Sequence, residues 1–147
     1  MPTHTETRVM PHSAEQMFDL IADVGKYPEF LPWTAGARIR KTTRIANGTV
    51  IEADLIISFK VFRERFTSRV TLLPDARRID VEYLDGPFKY LVNNWKFTPH
   101  ADGCEVAFHV DFEFKSKVLQ ALIGVVFDQA MKRVVGAFEQ RAKELYG

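Results

Sequence analysis

Cysteine is nearly absent from this 147-residue chain, and the single Cys104 excludes an internal disulfide and any multi-cysteine metal site. Long apolar runs are missing too: the uncharged stretch from Val118 to Phe127 falls short of the ~18 residues that a membrane span needs. Neither charge sign is in surplus. Twenty Lys and Arg against nineteen Asp and Glu leave a net charge of +1, so no global field argues for nucleic acid or an acidic partner. The four histidines, His4, His12, His100 and His109, show no ligand spacing such as HExxH. There is no G-x-S-x-G elbow, P-loop or dinucleotide fingerprint. The opening residues, MPTHTETRV, carry neither an apolar signal core nor an Arg-rich transit pattern, so a cytoplasmic protein is the expectation. No repeat, linker or low-complexity segment interrupts the chain.

What is present is aromatic. Twelve Phe raise the aromatic content to 12%, and the length suits one domain, residues 1–147, burying about two-thirds of its unfolded surface. His4 to Met10 predicts a strand, which Pro11-His12-Ser13 breaks. Ser13 with Gln16 fits a capping box, and Met17, Phe18, Ile21 and Val24 share one face of a short helix that Gly25 should end. Pro28 suits the first turn of a second short helix, and Pro32 pushes Leu31 out of helical geometry. Tyr27, Phe30, Leu31 and Trp33 thus crowd a proline-bounded turn, a costly surface unless they line something.

From Ala37 the apolar period becomes two. Strands are predicted over Arg38–Ile45, Thr49–Ile57, Val61–Leu73, Arg78–Leu84, Tyr90–Phe97 and Glu105–Phe114, with a hairpin signal at Asn47-Gly48 and turns at Pro74-Asp75, Asp85-Gly86-Pro87 and Asp102-Gly103. Short connections and clean alternation predict an antiparallel meander with one buried face. Its cover is the last segment, Ser116 to Gly147. Leu119, Ile123, Val126, Phe127, Ala130, Met131, Val134, Phe138, Ala142 and Leu145 recur there at three- and four-residue steps. About 30 helical residues span roughly 45 Å. The rear of this helix carries Asp128, Lys132, Glu139 and Lys143 on its polar side, whereas the front has Val118, Ala121, Leu122 and Val125 there and needs apolar company all round.

Tyr27-Pro28-Glu29-Phe30-Leu31-Pro32-Trp33, Asp85-Gly86-Pro87-Phe88, Trp95-Lys96-Phe97, Cys104-Glu105-Val106, Phe112-Glu113-Phe114, Ala137-Phe138 and Arg141-Ala142 occur in the order seen in the coenzyme Q-binding START-like family, which the whole chain resembles. The resemblance implies an α+β helix-grip fold: a seven-stranded antiparallel sheet wrapped round a long C-terminal helix, two short helices between strands 1 and 2, and an apolar cavity. It implies for eukaryotic members ubiquinone binding in support of respiration, and for bacterial members a ribosome-association toxin that blocks subunit joining. With no transit pattern, a bacterial member is expected. Many relatives carry Cys after the Pro-Trp pair, where this chain has Thr34.

The residues expected to border the cavity are Phe30, Leu31 and Trp33 of the turn; Phe62, Glu64, Phe66, Tyr83, Asn93, Trp95, Phe108 and Phe112 of the strands; and Leu119, Ile123, Phe127 and Met131 of the helix. Glu64, on the face of Phe62 and Phe66, is either a strand-end group facing water or a polar group at the cavity mouth, and Asn93 has the same two readings. No catalytic residue, metal ligand or cofactor is expected. The leading expectation is a non-enzymatic binder of an isoprenoid quinone, ubiquinone, with peripheral contact to the inner membrane and no DNA. The alternatives are a ribosome-associated protein and a cyclase/aromatase-type enzyme, the last with only Glu64, Asn93 and the tyrosines for acid–base work. The arginine-rich strand face (Arg63, Arg65, Arg69, with Arg78 beside it) is solvated, or meets phospholipid heads or ribosomal RNA.

Overall fold

The structure, a computed structural model, describes residues 3–59 and 62–147 apart from the side chain of Phe62, so the expectation placed on Phe62 lies outside what is described. Strand β1 (Thr3–Met10) leads into helix α1 (Ala14–Ala22) and a 3₁₀ helix (Val24–Glu29). Strands β2 (Thr34–Ile45), β3 (Gly48–Phe59), β4 (Phe62–Leu73), β5 (Arg78–Asp85), β6 (Phe88–His100) and β7 (Gly103–Phe114) follow, then helix α2 (Lys117–Tyr146). All neighbours are antiparallel, in the order β1-β7-β6-β5-β4-β3-β2. The meander therefore runs from one edge to β7, and β1 returns to close the other side.

The local signals act as their chemistry requires. Ser13 and Gln16 form the capping box of α1, and the Ser116 side chain accepts from the Leu119 N–H at the start of α2. Gly25 does not end α1: the helix closes at Asp23, whose N–H bonds to the Leu20 carbonyl, and Gly25 lies inside the 3₁₀ helix. The β2–β3 hairpin pairs Ile45 with Gly48, so its loop is Ala46-Asn47 and Gly48 already belongs to the strand. Gly48 is required for another reason. A Cβ there would stand 1.9 Å from the Leu72 carbonyl oxygen of the adjacent strand.

The period-two reading of β7 holds along its length. Val106, Phe108, Val110, Phe112 and Phe114 are buried on the inner face, while His109 meets Thr5 on the outer one. Helix α2 lies on that inner face. Its rear is seated by Val135, Phe138 and Ala142, and the Phe138 ring packs on Tyr27, Phe30 and Trp95 at 5.2–5.3 Å. Two contacts stitch α2 to β1: a hydrogen bond between His4 Nδ1 and Asp128 at 3.3 Å and an ion pair between Arg8 and Glu139 at 3.1 Å. The inward stripe differs from expectation at three positions. Val126 and Leu145 are exposed, and Val135, absent from the predicted stripe, is only 1% exposed. The front of α2 does project apolar groups outward, with Val118 67% and Val125 85% exposed. No helix among the described residues is long and apolar enough to cross a membrane.

Candidate functional site

Between α2 and the sheet lies an apolar cavity in two chambers. The outer one, about 240 Å³, is bounded by Leu31, Pro32, Trp33 and Thr34, by Leu55, Ile57 and Phe59 of β3, by Glu64, Pro87 and Phe88, and by Leu119, Ile123, Ala130 and Met131 of α2. The inner one, about 160 Å³, reaches Val24, Tyr27, Ser68, Ile79, Asn93, Trp95, Phe108 and Phe138. Leu31, Leu55, Phe66, Leu91, Val110 and Val134 line both and form the neck between them. Only the two together reach the ~300–1,000 Å³ range of ligand pockets.

The mouth is built on strained backbone and close approach. Trp33 has φ of 60°, the left-handed region that a bulky residue rarely enters. Its carbonyl accepts from the Ser58 N–H at 2.8 Å, its indole packs edge-on to Phe59 at 5.9 Å, and the Arg133 guanidinium lies 5.1 Å above the ring. Opposite, Gly86 (φ 144°) lets the Pro87-Phe88 turn close on Phe66, where a Cβ would stand 2.6 Å from the Phe66 Cβ. Glu64 is exposed at this rim, so it both faces water and borders the mouth. Thr34 also lines the outer chamber, and its hydroxyl donates to the Pro32 carbonyl at 3.3 Å.

Of the residues expected at the cavity, Leu31, Trp33, Glu64, Phe66, Phe112, Leu119, Ile123 and Met131 line the outer chamber. Leu31 and Phe66 continue into the inner one, where Asn93, Trp95 and Phe108 stand. Three are placed elsewhere. Phe30 sits outside, between Phe138 and the Arg141 guanidinium. Phe127 is buried edge-on against Phe112, under the helix front. Tyr83 braces the β5–β6 turn, its hydroxyl accepting from the Phe88 N–H at 3.0 Å. Among the residues the sequence reading left out, Leu55 and Ile57 were on the alternation of β3 and could have been found. Ser68, 2% exposed against the inner chamber, gave no signal because a serine on a strand reads as surface.

The chamber walls hold little acid–base chemistry. Asn93 Nδ2 donates to the His109 carbonyl at 2.9 Å, which leaves the amide oxygen to accept from a guest. The Tyr27 hydroxyl donates to the Ile21 carbonyl, and burial, reinforced by the Asp23 charge, pushes its pKa up. It is thus neutral and already committed. Cys104 is buried away from the cavity, its thiol pushed up by burial and then by Glu15, which suits a structural residue. No cluster of three metal-ligating side chains occurs among the described residues.

Residues 10–139 match the polyketide cyclase/dehydrase and lipid transport family. The chain belongs to this family. Relatives within it span nearly the whole sequence. The ribosome association toxin RatA of Rickettsia prowazekii is 37% identical over 148 residues, covering 99% of each chain. The mitochondrial coenzyme Q-binding protein COQ10 homolog B of Xenopus laevis is 34% identical, covering 98% of this chain and 59% of that one. The solution structure of the 18 kDa protein CC1736 from Caulobacter crescentus superposes with a TM-score of 0.83 at 39% identity, over 100% of this chain and 99% of that one. The helix-grip, START-like architecture is therefore shared with relatives whose names speak of ribosome association or of coenzyme Q.

Proposed function

We propose that this chain is a non-enzymatic protein that acts at the ribosome, interfering with the joining of the subunits. The observation that carries this reading is the end-to-end likeness, at 37% identity, to a protein named for ribosome association. That likeness weighs against the quinone binder that the sequence alone put first. The absence of a paired acid and base in the described chamber walls favours binding over catalysis. Sedimentation of purified subunits through sucrose gradients tests it. Added protein should shift 70S particles toward free subunits and travel with one of them. An unchanged profile, with the protein left at the top of the gradient, would sink the reading.

The cavity favours a second role for the same fold. Its walls are apolar, with Asn93 and Ser68 at the inner end and Glu64 at the mouth, an arrangement suited to a long hydrophobic chain with a small polar head. An isoprenoid quinone fits that chemistry, and each buried methylene contributes ~0.8 kcal/mol. Native mass spectrometry of protein purified without detergent should show a bound lipid that organic extraction identifies. Protein that emerges empty from quinone-rich cells would count against it.

A further inference from the structure

The outer face of the sheet, which the cavity does not use, is electrically lopsided. Register places Arg38 opposite Asp54 and Lys41 opposite Glu52 across β2 and β3, and Arg65 and Arg69 opposite Ile56 and Glu52 across β3 and β4. With Arg40 and Arg63, this three-stranded end carries six cations against the two carboxylates of Glu52 and Asp54. The whole chain is only +1, so the remainder is net negative. Asp80, Glu82, Glu105, Asp111 and Glu113 follow on the outer face from β5 to β7, where five carboxylates outnumber the three cations Arg78, Lys89 and Lys96. Two of the six cations are held: Arg40 Nε to Asp54 at 2.7 Å and Arg69 to Glu82 at 3.3 Å. Arg38, Lys41, Arg63 and Arg65 are exposed and make no ion pair among the described residues.

We infer that this outer face of β2–β4 is a docking surface for the phosphate backbone of RNA, an inference that rests on the ribosome reading above. Side chains two residues apart on one strand stand roughly 6.6 Å from each other, and neighbouring strands lie about 4.8 Å apart, so the cations form a flat grid. The outer face of β2–β4 carries no aromatic side chain among the described residues on which an unpaired base could stack. That composition suits the backbone of a helical RNA, gripped by charge and shape. A membrane fits less well. The exposed apolar groups that would enter a bilayer, Val118 and Val125, stand on α2, which covers the opposite face of the sheet. One flat lipid surface cannot meet both.

The test compares two matched triple neutralisations: Lys41→Gln with Arg63→Gln and Arg65→Gln on the face, and Lys117→Gln with Lys132→Gln and Lys143→Gln on α2. Both should keep the wild-type circular dichroism, since every position is exposed. Binding is read by anisotropy on a fluorescein-labelled RNA hairpin, by co-sedimentation with isolated ribosomal subunits, and by flotation with phosphatidylglycerol/phosphatidylcholine vesicles. The face variant should lose about tenfold or more in hairpin affinity, with a salt slope shallower by roughly 2–3, and should leave the subunits. The α2 variant should stay within about twofold of wild type. Equal losses in the two variants would reduce the effect to net charge and overturn the inference, as would a face variant that loses vesicles but keeps RNA. Wild type that co-sediments with subunits, beside a face variant that does so equally well, would overturn it while the ribosome reading stands. Wild type that binds the hairpin through this face but ignores subunits would retire the ribosome and keep the RNA contact.

Discussion

Asp54 is only 4% exposed, yet it is charged, because three neighbours outweigh its burial. Burial alone would raise its pKa; the Thr67 hydroxyl at 2.5 Å, the Arg40 guanidinium and the nearby Arg65 lower it below the usual carboxylate range. A depressed folded-state pKa means stability that is present above the unfolded value near ~3.9 and is lost as pH falls through the folded one. Asp54→Asn should therefore cost about 1–3 kcal/mol in urea unfolding at pH 7, and its deficit against wild type should shrink in acid. A deficit that stays constant down to pH 3 would mean that the carboxylate charge contributes nothing. At this scale the sequence was legible wherever a side chain's direction decides its role: Phe108 and Phe112 point inward because alternation leaves them nowhere else to go. Tyr83 and Phe127 share the expected faces but fill contacts rather than line space. A sequence shows which way a side chain points, and a cavity is defined by where nothing points.

Among the elements, α2 was the most legible in extent and the least in phase. The apolar run from Val118 to Phe127 carries no charge, and without a charged side nothing in the pattern fixes which apolar residues face the sheet. Hence Val126 faces out, while Val135, beyond the run, is buried. Three lysine substitutions separate the consequences. Val125→Lys, on an exposed position, should leave stability within about 0.5 kcal/mol of wild type. Val135→Lys would bury an unpaired ammonium and should unfold the domain. Val134→Lys should fold but close the neck, since Val134 is half-buried and borders both chambers. Thermal melts with a ubiquinone-uptake assay check all three. A Val134→Lys protein that melts as early as Val135→Lys would make the neck ordinary core. The strands, by contrast, were placed within a few residues, because period-two alternation marks the one face that they bury together.

Seen whole, the molecule is a sheet with two unlike faces. The inner face was legible as apolar from alternation alone. On the outer one the arginines of β4 were legible as a charged face, but its extension over β2 was not, because it exists only once Arg38 and Lys41 are set beside Arg63, Arg65 and Arg69 by pairing across β3. The same strand pairing also sets the order in which the chain can close. Thr3 pairs with Asp111, and His4 reaches Asp128 on α2, so the first strand made finds its partners only among the last residues made. At ~5–20 residues per second, synthesis holds β1 without a neighbour for roughly 5–20 s. Through that interval the meander has an uncovered oily side and an unfinished edge, until the terminal helix emerges and falls into place. The nascent chain should thus be a client for a trigger-type holdase until its final turn is clear, and a version reordered so that β1 follows β7 should leave the translating machine already closed.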